Sequence, residues 1–311
     1  TRFVLFELLE VQKLGETYNQ YEDYDQETYE EFLDLAERIA YEQMYEANAE
    51  ADKIGCSYNP DTKEVKIPEV YKPALDAFYE AGFMGMLDEP EIGGLGMPHT
   101  LSMCANEFFV AAAMPAMMYP GLSHGTMLLI NNFGTDQIKS LFIEKLMSGK
   151  WGGTMCLTEP EAGTDVGALK SKAVKLDDGT YKITGQKIFI SSGDGDYYEN
   201  IAHAVLARIE GDPPGTKGIS IFIVPKYKVN DDGSQGELND VICSGIEHKM
   251  GIKGSSTCTL NFGDNDGCIG YLLGQEKKGM KIMFQMMNEA RLGVGLQGLG
   301  LSSTAYMHSV T

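Results

Sequence analysis

The hydrophobic period of this chain switches twice, from helical to alternating near residue 150 and back to helical near residue 275. No single backbone geometry serves both patterns, because side chains repeat about every 3.6 residues on a helix but at every second residue on a strand. The order helices, strands, helices predicts an α+β chain. An N-terminal helical domain is expected over 1–150, a central antiparallel β-barrel or sandwich domain over 151–275, and the start of a C-terminal helical domain over 276–311, truncated at Thr311. A lone final helix would have too little to pack against, so the chain is expected to continue. Thr1 in place of Met likewise implies residues missing or processed upstream.

Start and stop signals divide the first domain. Asp25 is placed to cap a helix whose face carries Tyr29, Phe32, Leu33, Ala36, Ile39 and Ala40. Pro68 precedes a second helix with Val70, Ala74, Leu75 and Phe78 on one side and Gly82 as its stop. EIGGLGMP, 91–98, reads as a glycine-rich connector, and 101–113 as an apolar helix closed by Pro115. Thr135 caps a helix ending at Gly149. Beyond it, KSKAVKL and TYKITGQKIFIS flank Asp178 and Gly179, whose glycine supplies the positive φ of a hairpin turn. IAHAVLARI, KGISIFIVP, VICSGIEH and CTLNF continue as short strands. After Gly279, Met280, Met283, Phe284, Met287 and Arg291 fall at helical spacing, a methionine-rich face of the kind that packs irregular cores.

Charge removes some functions from consideration. The formal net charge of −20 repels DNA, RNA and anionic membrane. The acidic run over 16–52 reads as a solvated helix face. Cysteines at 56, 104, 156, 243, 258 and 268 form no CxxC and read as reduced thiols of a cytoplasmic protein. Histidines at 99, 124, 203, 248 and 308 lack metal-ligand spacing, so no metal site is expected. No uncharged apolar run approaches membrane-spanning length, and no basic-then-apolar signal opens the chain.

Three short motifs carry chemistry in other settings. GLSHG, 121–125, fits the nucleophile elbow, which needs a strand before it and a helix after. AAAMPAMMYP precedes it here, and a helix-to-helix link is the better reading. GVGLQG, 293–298, fits the dinucleotide fingerprint, but a helical pattern precedes it and the chain ends before the acidic residue it requires. Close approach of helices over small residues explains it instead. DGDYYE, 194–199, lacks calcium-loop order and reads as an exposed acidic loop.

MCLTEPEAGTDVG, 155–167, followed by KITGQKIFISSG, 182–193, inside a β segment between helical ones, resembles the acyl-CoA dehydrogenase family. The resemblance continues through EARLGVGLQGLGL, and EHKMGIKGSSTCTLNFGD is similar to a long bacterial branch of 3-methylmercaptopropionyl-CoA dehydrogenase-like enzymes. It implies FAD as cofactor, an acyl-CoA as substrate, and α,β-dehydrogenation to the trans-2-enoyl-CoA with hydride passing to flavin N5. On the matching positions, Met155, Cys156, Leu157 and Thr158 form the strand that meets the flavin pyrimidine edge, with Thr158 at its oxygen side. Phe189 falls where many relatives carry Trp over the ring face, Ile190 at an aliphatic position, and Ser191, often Thr in relatives, at the donor to N5. Gly163 and Thr164 match a turn near the CoA pantetheine and phosphates. Arg291 matches an arginine near the substrate, and Asn288 stands where several relatives place an Asp that contacts CoA. Read singly, Thr158 is equally a strand cap, Phe189 a core side chain and Arg291 the partner of an exposed acid. Their joint order favours the flavin.

The resemblance also implies a glutamate base within reach of the α proton. Relatives place it at the position of Ala290 or much later in the C-terminal lobe. Ala290 has no carboxylate, and Glu289 is turned from that face by about 100° on a helix. Glu289 is therefore given a solvated or capping role, and the base is expected beyond Thr311. In such enzymes a neighbouring subunit completes the adenine end of the FAD site, implying a homo-oligomer, dimer or tetramer. The implied electron acceptor is an electron-transferring flavoprotein. An acyl-CoA oxidase or flavin monooxygenase on the same fold, or a non-catalytic CoA-binding scaffold, stays open.

Overall fold

The computed structural model describes residues 1–310. Its α-helices are α1 (Gln26–Ile39), α2 (Glu46–Ile54), α3 (Lys72–Glu80), α4 (His99–Phe133), α5 (Asp136–Met147) and α6 (Gly279–Val310). The Asp25 carboxylate caps α1 by accepting from the Thr28 amide at 2.8 Å. Tyr29, Leu33, Ala36 and Ile39 fill the inner face of α1, while Glu31, Asp34 and Glu37 of the acidic run stay exposed. A π-helical turn, Ala40–Tyr45, carries the chain from α1 into α2. Gly82 ends α3 at φ +78°, and Thr135 caps α5 through the Ile138 amide.

α4 departs from the sequence expectation. The apolar helix does not close at Pro115. It breaks at Ala113 (φ −151°, ψ 69°) and resumes through Pro115 and Pro120 to Phe133. Pro115 stands in the first turn after the break, where an absent N–H costs little. The expected lack of a membrane-length apolar run is corrected as well. By length and composition α4 passes for a spanning helix, but 56% of its apolar window is buried inside the fold, where it serves as a core helix.

A small hairpin, β1 (Ser57–Tyr58) with β2 (Val65–Lys66), precedes the β domain. The domain itself contains β3 (Trp151–Cys156), β4 (Lys172–Lys175), β5 (Tyr181–Ser191), β6 (Asn200–Ile209), β7 (Ile219–Pro225), β8 (Tyr227–Val229), β9 (Gln235–Leu238), β10 (Val241–Ile246), β11 (Thr257–Phe262) and β12 (Ile269–Leu272). The main sheet runs β10-β11-β5-β12-β7-β6-β3, with β4 against β5 and β6, while β8 and β9 pair apart. Pairing is antiparallel as expected, except that β3 and β4 both run parallel to β6. β6 and β7 are buried on both faces, which explains their near-continuous apolar sequences. One face packs Ile183, Val205, Phe222 and Phe262 inside the barrel, and the other packs Trp151, Leu206 and Ile221 towards α5 and α6. All six cysteines are free thiols.

Two further readings are corrected. DGDYYE is not an exposed loop. Asp194 is buried against Lys226, and the Tyr198 hydroxyl lies 2.7 Å from that of Tyr79, because the tyrosines carry the segment into the interior. In GVGLQG, a Cβ at Gly293, Gly295 or Gly298 would meet nothing within 4 Å, so these glycines mark no helix contact. The close approach comes at Gly300, beside Val110 of α4. α6 also does not want for partners on its inner face, where Ile282, Met283 and Met286 are buried.

Candidate functional site

β3 and β5 meet where β3 ends. The Thr158 carbonyl accepts from the Ile188 amide at 2.9 Å, so the exit of β3 is stitched to β5 one residue before Phe189. Beneath the stitch, Lys187 is fully buried. Its ammonium donates to the Leu157 carbonyl at 3.1 Å and to Glu159 Oε1 at 2.8 Å. The Glu159 carboxylate also accepts from the amides of Lys170 at 2.6 Å and Ser171 at 3.1 Å. Burial pushes the Lys187 ammonium below its ordinary value against the pull of Glu159. Burial alone would raise Glu159, but Lys187 and the bonded loop hold its carboxyl below the usual range. The pair is an ionised strut that fixes the corner, since each buried charge has a partner.

Phe189 sits on an irregularity in this corner. Ile190 pairs with Cys258 and Lys187 with Leu260, so Ile188 and Phe189 together oppose Thr259 alone. That is a β-bulge, a device that re-aims a side chain. Phe189 takes φ +57°, and 58% of the residue is exposed. A left-handed backbone costs a non-glycine residue roughly 1–2 kcal/mol. Held in place by its neighbours, such strain points to function. The exposure rules out the core reading of Phe189.

The neighbouring candidates divide by what they present. Ile190 is buried, whereas Met155, Leu157, Thr158 and Ser191 are half-buried. Among the described residues no hydrogen bond engages the hydroxyls of Thr158 or Ser191. Cys156 is fully buried, and burial pushes its thiol up to about 12, so only its backbone is available. Gly163 lies beside Thr158, where a Cβ would stand 3.8 Å from Thr158 Cγ2, and Gly163 and Thr164 are exposed. On α6, Arg291 donates to Asn288 Oδ1 at 2.7 Å and lies 5.5 Å from the Phe284 ring centre, so its partner is not an acid. No hydrogen bond or ion pair joins this α6 pair to the β3–β5 corner among the described residues.

Sequence reading missed the polar supports. Glu289 is neither freely solvated nor a cap, because its Oε1 lies 3.1 Å from His124 Nδ1, while His124 Nε2 lies 2.9 Å from Asp88 Oδ2. No spacing in the sequence signals that cluster, which three separate elements assemble. Ser123 of GLSHG lies inside α4, fully buried, and donates to the Tyr119 carbonyl at 2.8 Å. A mid-helix serine of this kind is no nucleophile elbow, and the helix-to-helix link expected there is corrected as well, because the break in α4 comes earlier, at Ala113. No cluster of metal-ligating side chains occurs among the described residues.

The corner fits a flat heteroaromatic cofactor: an exposed aromatic plate, two unengaged hydroxyls, and the end of a strand on a rigid strut. Comparison with known proteins points the same way. Residues 26–150 match the acyl-CoA dehydrogenase N-terminal domain, and 154–265 the acyl-CoA dehydrogenase middle domain. The chain is 42% identical over 314 residues to a butyryl-CoA dehydrogenase of Syntrophomonas wolfei, an alignment covering 98% of this chain and 51% of that protein. It is 40% identical over 247 residues to 3-methylmercaptopropionyl-CoA dehydrogenase of Ruegeria pomeroyi, covering 79% and 42% respectively. Its fold is similar to that of an acyl-CoA dehydrogenase complexed with FAD from Bacillus anthracis, with a TM-score of 0.70 and 27% identity over 90% of this chain and 42% of that one. The chain spans about half the length of the curated relatives it matches. With both family models matched in order along a helical and a β domain, the chain belongs to the acyl-CoA dehydrogenase family.

Proposed function

We propose that this chain carries the flavin-binding part of an FAD-dependent enzyme that converts an acyl-CoA to its trans-2-enoyl-CoA. The observation that carries the reading is Phe189, an exposed ring on a strained bulge at the end of a braced strand. Family membership and the FAD complex of a structural relative support it.

In this reading the backbone of Met155, Cys156 and Leu157, with the Thr158 hydroxyl, meets the pyrimidine edge of the ring. Phe189 covers its face, Ile190 holds the aliphatic position next to it, and Ser191 donates towards N5. Bound FAD supplies the hydride acceptor. Gly163 and Thr164 face the CoA pantetheine and phosphates, and Asn288 and Arg291 its polar groups. The base lies beyond Thr311, outside the described residues. Glu289 is a poor substitute, because its carboxylate is already engaged by His124. A second subunit completes the adenine end of the site, an electron-transferring flavoprotein accepts the electrons, and the enzyme works in the cytoplasm.

The test is anaerobic mixing of the full-length protein with a panel of acyl-CoAs. Loss of flavin absorbance with at least one thioester is expected, and no loss with any of them contradicts the reading. Hydrogen peroxide formed during aerobic turnover would make the enzyme an oxidase instead.

A further inference from the structure

The flavin reading leaves GLSHG without a role, yet its residues build one junction. Ser123 Oγ accepts from the Gly153 amide at 3.0 Å, tying α4 to the edge strand β3. A Cβ on Gly125 would come within 2.7 Å of Met286 Cε, so α6 closes on α4 at that point. His124 stands between them, its side chain only 15% exposed, with Asp88 on one ring nitrogen and Glu289 on the other. Both nitrogens face carboxylates, an arrangement that the doubly protonated imidazole satisfies because both must donate. Asp88 is itself buried, three residues ahead of the glycine-rich connector, so the far end of the bridge is anchored.

Glu289 shares a helical turn with Asn288 and Arg291. One residue on a helix is a rotation of about 100°, so fixing Glu289 fixes the direction of both neighbours. Ile282, Met283 and Met286 anchor α6 before this turn, and Gly300 packs on α4 after it. No residue between Met286 and Gly300 is fully buried, and Gly293 and Gly295 have no side chain to engage, so the packing holds this turn less firmly than the helix on either side. We propose that His124 is a positioning residue: by bridging Asp88 and Glu289 it sets the rotation of α6, and so the direction in which Asn288 and Arg291 meet the acyl-CoA. The inference rests on the functional reading above.

Burial would lower the His124 pKa, but the hydrogen bonds and charges of Asp88 and Glu289 override it and hold the ring up to about 10. Those carboxylates, one from the segment just before the connector and one from α6, are the charged groups that face it. The bridge therefore stays closed through neutral pH and loosens as the pH rises through about 10.

The experiment uses the full-length flavoprotein with His124→Gln, Glu289→Gln and the double substitution. Wild-type bleaching by acyl-CoA is recorded first. A wild type that no acyl-CoA bleaches overturns the functional reading and this inference with it. Given bleaching, the single variants are expected to keep their flavin spectrum and to hold kcat within about twofold. Their KM for acyl-CoA should rise about tenfold, the order expected for one charge-assisted hydrogen bond. The double variant should be no worse than either single one, because both remove the same bridge. The wild-type KM should also climb near pH 10, a limb that both single variants lack. An unchanged KM in the singles, or additive losses with the alkaline limb retained, overturns the bridge alone. Should His124→Gln fail to fold, Glu289→Gln decides by itself, since Glu289 is only half-buried.

Discussion

Phe189 shows how a functional residue can oppose the stability of its own fold. Its positive φ costs free energy that glycine would not incur, and its exposed ring recovers little packing. Phe189→Gly is therefore expected to leave the flavin-free protein as stable as before, or more stable by up to about 1 kcal/mol. Urea denaturation checks this, and a loss of about 3–5 kcal/mol would instead mark a core aromatic. Lys187 behaves in the opposite way. Lys187→Met strands the buried Glu159 carboxylate without its cation, and the same assay should show a loss of about 3–5 kcal/mol. The two residues also differ in how far sequence reveals them. Lys187 shares the inward parity of Tyr181 and Ile183 on β5, and a lysine at such a position requires a buried acid. The strain at Phe189 arises from its pairing with β11, far along the chain, and no local pattern carries it.

At the scale of elements, α4 holds the β domain to the helices. β3 is an edge strand, and Ser123 satisfies the otherwise open Gly153 amide while Thr126 donates to the Thr154 carbonyl at 3.3 Å. Ser123→Ala should cost about 1–3 kcal/mol in thermal or urea unfolding, the penalty for a buried amide left unpaired. An unchanged midpoint would mean that water reaches the edge of β3. Helix starts, the Asp178 and Gly179 turn and the apolar runs of β6 and β7 were all readable, because each depends on near neighbours in the chain. The course of α4 was not. A proline that ends one helix and a proline that begins the next look alike until the residue four positions back is known to need its partner. The parallel pairing of β3 with β6 was equally hidden, since it depends on where the intervening strands return the chain.

Across the whole molecule, pH couples to folding through the barrel interior. His203 is fully buried, its Nδ1 lies 2.7 Å from Thr154 Oγ1, and its Nε2 has no partner among the described residues. Burial, helped by the charge of Lys226, lowers its pKa to about 3. Between that value and the ordinary one of about 6.5, the unfolded chain binds a proton that the folded chain refuses. Stability must therefore fall as the pH drops below about 6.5, by up to about 1.4 kcal/mol per pH unit from this group. Urea titrations between pH 7 and 5 should show that slope, and His203→Gln should flatten it. The helical and β lobes meet in a core built by α4, α5 and α6 against β3, β6 and β7, with the candidate flavin corner at the exit of β3, the edge strand that α4 braces. Visible absorbance during FAD titration of the full-length apoprotein, wild type beside Phe189→Gly, tests that corner most directly. One flavin bound per chain is expected, with the Kd at least about tenfold weaker once the aromatic plate is gone. No flavin uptake, or uptake indifferent to Phe189, would contradict it.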